Sequence, residues 1–145
     1  MGESSLIKRN LCFLLISITL ACINFFVFSP INEKYHVFSE GIPMTLTGRI
    51  IVFAINAPLL AAYSIYSWKF FEKLKYFNFL NYPLAIVNIC ALSLATLLSV
   101  VGNGTFMWIL MLPMLGAIGI LIMSIFCGLI LDIKAWVEYL KSKKS

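Results

Sequence analysis

The chain has 145 residues, of which 61% are hydrophobic and only 12% are charged, and its net charge is +5. A water-soluble domain has about half apolar and roughly a quarter charged residues, so this composition excludes an ordinary soluble protein and predicts one whose outer solvent is the lipid bilayer. The positive charge does not indicate nucleic-acid binding, because the basic residues lie in short runs between apolar stretches, where they set membrane orientation.

Four apolar segments are long enough to cross the bilayer as helices, since about 20 apolar residues span roughly 30 Å of hydrocarbon. They lie at residues 11–29, 50–68, 83–101 and 106–131, and none contains a charged residue or histidine. In hydrocarbon, the backbone amide and carbonyl groups must be paired within each segment. The sequence therefore predicts an all-α membrane protein, in which residues 1–145 form a single integral membrane domain, a four-transmembrane-helix bundle.

The first segment follows a short basic stretch and predicts a helix that is retained rather than a cleaved signal peptide. Its apolar run of about 19 residues is longer than the roughly 7–15 residues of a signal core, and no small-x-small cleavage site follows it. The segment carries one amide, Asn24. Because Asn56 lies at similar depth on the antiparallel second segment, we expect the two side chains to hydrogen-bond, a contact worth about 0.6–2 kcal/mol.

Small residues follow one face of the second segment and one face of the third. The second segment has Ala57, Ala61 and Ser64, and the third has Ala91 and Ala95 at a spacing of four. Transmembrane helices associate through close packing of small residues, because lipid tails are as apolar as leucine and provide no hydrophobic driving force. These residues are therefore predicted to form helix-packing faces and to be candidate contacts for a partner helix.

The third and fourth segments add another amide and a hydroxyl. Asn88 lies near the start of the third segment, at a depth where Ser124 of the fourth or Ser64 of the second is predicted to meet it. The pattern favours the three asparagines as hydrogen-bonding contacts between helices. A substrate or ion site built from them is the alternative that the sequence leaves open.

The distribution of Lys and Arg predicts the orientation, because short basic loops stay in the cytoplasm. The two connections predicted outside, residues 30–49 and 102–105, carry only Lys34 and Arg49. The other nine basic residues lie at the N-terminal end, in the loop between the second and third segments and in the C-terminal tail. Both termini are therefore predicted to be cytoplasmic.

No group of residues indicates catalysis, a metal centre or a cofactor site. Pumps and proton-coupled transporters place ionisable residues within their helices, and the four segments contain none. The single histidine, His36, is in the 30–49 loop, and the four cysteines match no metal-binding spacing. The sequence predicts a protein that is not an enzyme and has no catalytic, cofactor-binding or metal-binding residues.

The second segment resembles part of the inner-membrane immunity proteins of pore-forming colicins of the A type. The resemblance rests on Asn56-Ala57-Pro58 with the apolar run behind it, on the basic loop after Trp68, and on the four-helix topology. The usual Thr before Ala-Pro in that family is Asn56 here. The resemblance implies a protein that binds the pore-forming domain of a toxin within the membrane, blocks the pore by helix packing and catalyses no reaction.

Two other interpretations fit the same sequence. An accessory or structural subunit of a larger membrane protein complex would use the same small-residue faces to dock on partner helices. A small channel or holin is less favoured, because the helices lack charges and a polar face. The predicted partners are the lipid bilayer and another membrane-embedded protein, either a toxin pore domain or the subunits of a complex. The predicted location is the bacterial inner membrane.

Overall fold

A computed structural model describes residues 2–39, 41–102 and 106–145, and of residues 106–110 it describes the backbone alone. The described residues form helices and short connections and contain no strand. Four helices are long and apolar enough to cross a membrane. In chain order, the elements are α1 (Glu3–Ile23), a π-helical turn (Asn24–Phe28), α2 (Ser29–Lys34), α3 (Leu46–Phe71), α4 (Asn78–Val101) and α5 (Phe106–Lys144).

The predicted all-α architecture is confirmed, but the helices are longer than the apolar segments. α1 begins at Glu3, an acidic residue in its first turn, and α5 ends at Lys144 after several basic residues in its last turn. Charges so placed complement the helix dipole and extend a helix beyond the hydrocarbon, which a count of apolar residues does not detect. Residues 103–105 of the predicted outer turn lie outside the described residues.

The first apolar segment does not end at residue 29 as predicted, because helical structure continues to Lys34. The π-helical turn at Asn24–Phe28 is followed by Ser29 and Pro30, which lie in the first turn of α2. Proline has no N–H to donate, and its ring crowds the carbonyl group one turn earlier. A π-helical turn accommodates one extra residue within a helix. The wider turn therefore lets the helical chain continue past Pro30.

α4 is the central helix, since α1, α3 and α5 all pack against it. One buried apolar cluster joins α3 and α4 and includes Val52 and Leu98. A second cluster joins α1, α3 and α4 through Leu20, Tyr63 and Leu92. In the most apolar stretch of each helix, α5 is only 6% buried, against 33% for α4. The core is therefore built by the first three spanning helices, and α5 packs on its outside.

α1 begins and α5 ends at the same end of the bundle, called the terminal end below. There the Glu3 carboxylate pairs with the Lys75 ammonium at 3.0 Å, and the Trp136 ring of α5 lies 5.1 Å from the Tyr76 ring, centroid to centroid. The loop between α3 and α4 thus contacts the first and last helices. The buried Asn10 side chain of α1 orders this loop, because its Oδ1 accepts hydrogen bonds from the backbone amides of Lys75 and Tyr76.

Charged side chains from two neighbouring helices cap the ends of α4. At the terminal end, the buried Asp132 carboxylate of α5 accepts hydrogen bonds from the backbone amides of Asn78 at 2.8 Å and Phe79 at 3.0 Å. At the opposite end, the Arg49 guanidinium of α3 donates to the backbone carbonyl oxygens of Ser99, at 2.9 Å, and Val100. An anion at the N-terminus and a cation at the C-terminus complement the helix dipole and satisfy otherwise unpaired backbone groups.

Candidate functional site: an asparagine cavity and an apolar cleft

Five residues that the sequence pattern selects line a single cavity of about 520 Å³. It lies between the end of α1, α3 and α4, and it extends past the π-helical turn to the loop after α2. The five residues are Asn24, Asn56, Asn88, Ala91 and Ala95. This space is called the asparagine cavity below. The three amides do converge, but they do so around an open volume.

The predicted hydrogen bond between Asn24 and Asn56 is wrong. The Asn56 Nδ2 donates to the backbone carbonyl oxygen of Val52 in its own helix at 2.8 Å. The Asn24 Nδ2 is buried and has no hydrogen-bond partner in the structure. The physical reason is that α1 and α3 each pack on α4, so the two side chains face the same cavity from different walls.

Asn88 has different partners from those predicted. Its Nδ2 donates to the backbone carbonyl oxygen of Ser17 at 3.0 Å and lies 3.4 Å from the Tyr63 hydroxyl. The Ser17 and Tyr63 hydroxyls are themselves 2.7 Å apart. Ser124 instead donates to the carbonyl oxygen of Leu121 in its own helix. Depth alone predicted Ser124 or Ser64, whereas the rotation of each helix about its axis brings Ser17 and Tyr63 to Asn88.

The remaining wall of the asparagine cavity combines aromatic and polar residues. Phe25, Phe28 and Phe38 contribute rings, and Glu33 contributes a carboxylate. Glu33 is the only ionisable residue among the described residues that line the cavity. The π-helical turn, α2 and the loop therefore place aromatic rings and one carboxylate on the cavity wall beside the Asn24 amide, whereas α3 and α4 contribute the amides of Asn56 and Asn88.

The small-residue faces have different environments. On α3, Ala61 is exposed, Ala57 and Ser64 are partly buried, and none of the three lines the asparagine cavity. On α4, Ala95 is buried and Ala91 is exposed. The α4 face therefore packs in part within the bundle, whereas the α3 face leaves Ala61 open to the surroundings.

A second space, called the apolar cleft below, separates α4 from α5 over about 410 Å³. From α4, its walls include Ile86, Cys90 and Leu94, and from α5 they include Ala117 and Leu121. Ala91 borders both this cleft and the asparagine cavity. The cleft lies toward the opposite end of the bundle, because its α5 residues precede Gly128, which packs against the backbone of Asn78 and Phe79 at the terminal end.

Two buried polar residues with structural roles lie directly beside the predicted segments. Asn10 precedes the first segment and Asp132 follows the fourth. Both are at most 5% exposed and both bind backbone groups of the α3–α4 loop or of the α4 N-terminus. Their position beside an apolar segment is the feature of the sequence that could have predicted this role, because polar residues next to a membrane helix commonly satisfy backbone groups at helix ends.

The remaining polar groups of the described residues do not assemble a recognisable reactive centre. Within the described residues, no cluster of three or more His, Cys, Asp and Glu could hold a metal ion. The four cysteines are free and exposed. A scan against protein-family models finds no match, and searches of curated proteins and of solved structures find no significant similarity. A functional proposal must therefore rest on the geometry and on the sequence pattern.

Proposed function

We propose that this chain is a non-catalytic protein of the bacterial inner membrane that binds another membrane-embedded protein. More specifically, we propose that it is an immunity protein, which blocks a pore-forming toxin by helix packing within the bilayer. The nine-to-two distribution of Lys and Arg supports an orientation with both termini in the cytoplasm. The resemblance at Asn56-Ala57-Pro58 supports the choice of the immunity class.

The observation that carries this proposal is the apolar cleft between α4 and α5. Its walls carry Leu94 of α4 and Ala117 and Leu121 of α5, and they leave about 410 Å³ unfilled between the two helices. A transmembrane helix of a partner that entered the cleft would contact both α4 and α5. Close packing of this kind is the main source of association between helices in lipid.

Blocking by helix packing requires no reaction. A toxin helix held in the cleft would be unable to take its place in an open pore, because the same helix surface cannot face the immunity protein and the pore at once. Specificity would arise from the shape of the cleft, since side chains such as Leu94, Ala117 and Leu121 leave a defined volume. A toxin with a differently shaped helix would not be neutralised.

The test is a protection assay in a bacterium that is sensitive to pore-forming toxins. Expression of the chain should protect against one toxin and leave unrelated toxins effective. The variant Ala117→Phe should abolish protection, because the ring would fill the cleft. Ala54→Phe is the matched control, since Ala54 is an exposed alanine of α3 that lines neither space. Membrane levels of both variants are measured by quantitative immunoblotting.

Three outcomes separate the parts of this proposal. Loss of protection in Ala117→Phe alone supports the cleft as the binding site. If Ala61→Phe lost protection and Ala117→Phe still protected, the cleft would not be the toxin-binding site, and the small-residue face of α3 would be. Absence of protection against every toxin tried, together with recovery of the chain in a stable complex of host membrane proteins, would replace the immunity function with that of an accessory subunit.

A further inference from the structure

The asparagine cavity has an acidic and aromatic side whose chemistry the proposed function does not use. Its volume of about 520 Å³ falls within the roughly 300–1,000 Å³ of small-molecule sites in proteins. The space is walled by α1, α3, α4 and the segment after the π-helical turn, whereas the apolar cleft lies between α4 and α5. A ligand in the cavity would therefore not occupy the cleft.

The charge on the cavity wall determines whether a positively or a negatively charged ligand is favoured. Glu33 is exposed, lines the cavity and forms no ion pair with any residue in the described part of the chain. No Lys or Arg is among the described lining residues. A phosphate or carboxylate would meet a like charge there and no cation, whereas a positively charged group would gain an opposite charge. The cavity therefore favours a cation.

The aromatic rings select an organic cation over a metal ion. Phe25, Phe28 and Phe38 line the cavity together with Glu33. The face of an aromatic ring attracts a cation within about 6 Å, and several rings around one space are a recurrent way to bind an alkylammonium group. A hydrated metal ion would need several oxygen ligands instead. Rings and a carboxylate together match an ammonium group that carries alkyl substituents.

The amides of Asn24 and Asn88 favour a ligand that carries a hydroxyl group as well as the ammonium group. The Asn24 Nδ2 is an unused donor, and the Asn88 Oδ1 is an unused acceptor on a fully buried side chain. The orientation of Asn88 is determined by the hydrogen bond from its Nδ2 to the Ser17 carbonyl oxygen. Leaving such groups unpaired in an apolar environment is costly. A hydroxyl group both accepts and donates, so it would pair with either amide once that side chain turns its unpaired atom toward the cavity.

We propose that the asparagine cavity binds an ammonium group borne by a small hydroxylated molecule, as in an amino alcohol. The ammonium group lies against Glu33 and the three phenylalanine rings, and the hydroxyl group points toward Asn24 and Asn88. The same chemistry is available from a free amino alcohol and from a lipid headgroup that carries an ammonium. The site would exist whether or not the chain binds a toxin, although Ala91 borders both spaces.

The test uses the full chain in nanodiscs of phosphatidylglycerol, which has no ammonium group, with choline as the probe. Binding of isotope-labelled choline should be saturable. The uncharged analogue of choline, in which carbon replaces the quaternary nitrogen, should not compete. Glu33→Gln should weaken choline binding by about tenfold, and Phe38→Leu should weaken it by roughly fivefold, as expected for the loss of one cation–π contact.

Two matched controls keep the test specific. Phe53→Leu changes an exposed ring of α3 that does not line the cavity, and Glu72→Gln removes a carboxylate at the end of α3, so neither should alter choline binding. Thermal unfolding of each variant shows whether it is folded. Absence of saturable binding to the wild-type chain, or equal binding by Glu33→Gln, would overturn the proposal.

A second arm identifies the source of the ammonium group. Nanodiscs that contain phosphatidylethanolamine present the headgroup at high local concentration. If that lipid weakens the apparent affinity for choline more than an equal fraction of extra phosphatidylglycerol does, the lipid headgroup occupies the cavity. If it does not, the ligand is a free molecule. Both results support an ammonium site, and the wild-type and Glu33→Gln measurements decide whether the site exists.

Discussion

The two ends of the contact between α4 and α5 differ in how closely the helices approach. At the terminal end, a Cβ added to Gly128 would lie 2.6 Å from the carbonyl oxygen of Asn78, and Asp132 one turn later caps α4. Toward the opposite end, the apolar cleft of about 410 Å³ separates the same helices, with Leu94 on its α4 wall and Ala117 and Leu121 on its α5 wall. α5 thus lies close to α4 at one end and apart from it along the cleft.

This difference shows how a membrane helix can be anchored and still present a surface. The polar clamp at Asp132 holds α5 against α4 at a single end, where hydrogen bonds to backbone amides are strong because little water competes. The walls of the cleft are mainly apolar, and lipid solvates such side chains as well as protein does. The open half of α5 is therefore available to a partner without loss of the fold.

The largest effect is expected at Gly128. Gly128→Leu has no room against the backbone of Asn78 and Phe79, and it should lower the free energy of unfolding by about 3 kcal/mol, the upper range for overpacking. Gly116→Leu is the matched control and should be neutral or stabilising by up to about 1 kcal/mol, since glycine is a poor helix former. Unfolding by sodium dodecyl sulfate in mixed micelles measures both. Similar destabilisation by the two variants would contradict the close approach of α5 to α4 at Gly128.

A smaller effect is expected from the two caps of α4. Asp132→Ala leaves two buried backbone amides unpaired and should cost about 2–3 kcal/mol. Asp132→Asn keeps one acceptor oxygen and should lose about half as much. Arg49→Gln, at the more exposed cap, should cost about 1 kcal/mol.

Hydrogen exchange distinguishes these caps from one another. Asp132→Ala should accelerate exchange of the Asn78 and Phe79 amides and leave the opposite end of α4 unchanged. If Arg49→Gln destabilised the chain more than Asp132→Ala does, the opposite end would be the stronger anchor, and the comparison between the ends would be reversed.

The smallest effect is expected from Tyr76 at the terminal end. Burial, followed by the hydrogen bond that its hydroxyl donates to Glu3, raises the pKa of Tyr76 from 10.0 to about 12. A pKa raised in the folded state means that the protonated hydroxyl stabilises the fold fully below pH 10.0 and that this stability is lost as the pH rises through about 12.

Absorbance of tyrosinate, followed together with unfolding between these pH values, tests this expectation. Tyr76→Phe should remove the hydroxyl whose raised pKa links folding to alkaline pH, and it should reduce the alkaline loss of stability. Tyr139→Phe, a change in a neighbouring ring of the same cluster, serves as the control and should leave that loss in place. Titration of Tyr76 near the value of a free tyrosine would show that the terminal end is open to water.

The element boundaries follow from local chemistry, and this explains where prediction from the sequence succeeded. Runs of apolar residues require helices in lipid, so all four segments were found. The ends were misplaced where polar groups continue a helix, as at Glu3, or where a π-helical turn carries the chain past Pro30. The asparagines were correctly identified as polar positions inside the bundle, but depth along a helix does not determine which neighbour a side chain meets.

By itself, the sequence determined that the helices suit a lipid environment, that the fold is all-α and that four helices are long enough to span a membrane. These properties depend on the hydropathy of consecutive residues. The tertiary structure decided that α4 is central, that Asn88 meets Ser17 and Tyr63 instead of Ser124, and that Asn24 faces a cavity with Glu33. Such contacts depend on the rotation and tilt of each helix against its neighbours. Rotation and tilt result from packing among all the helices at once, and no single segment encodes them.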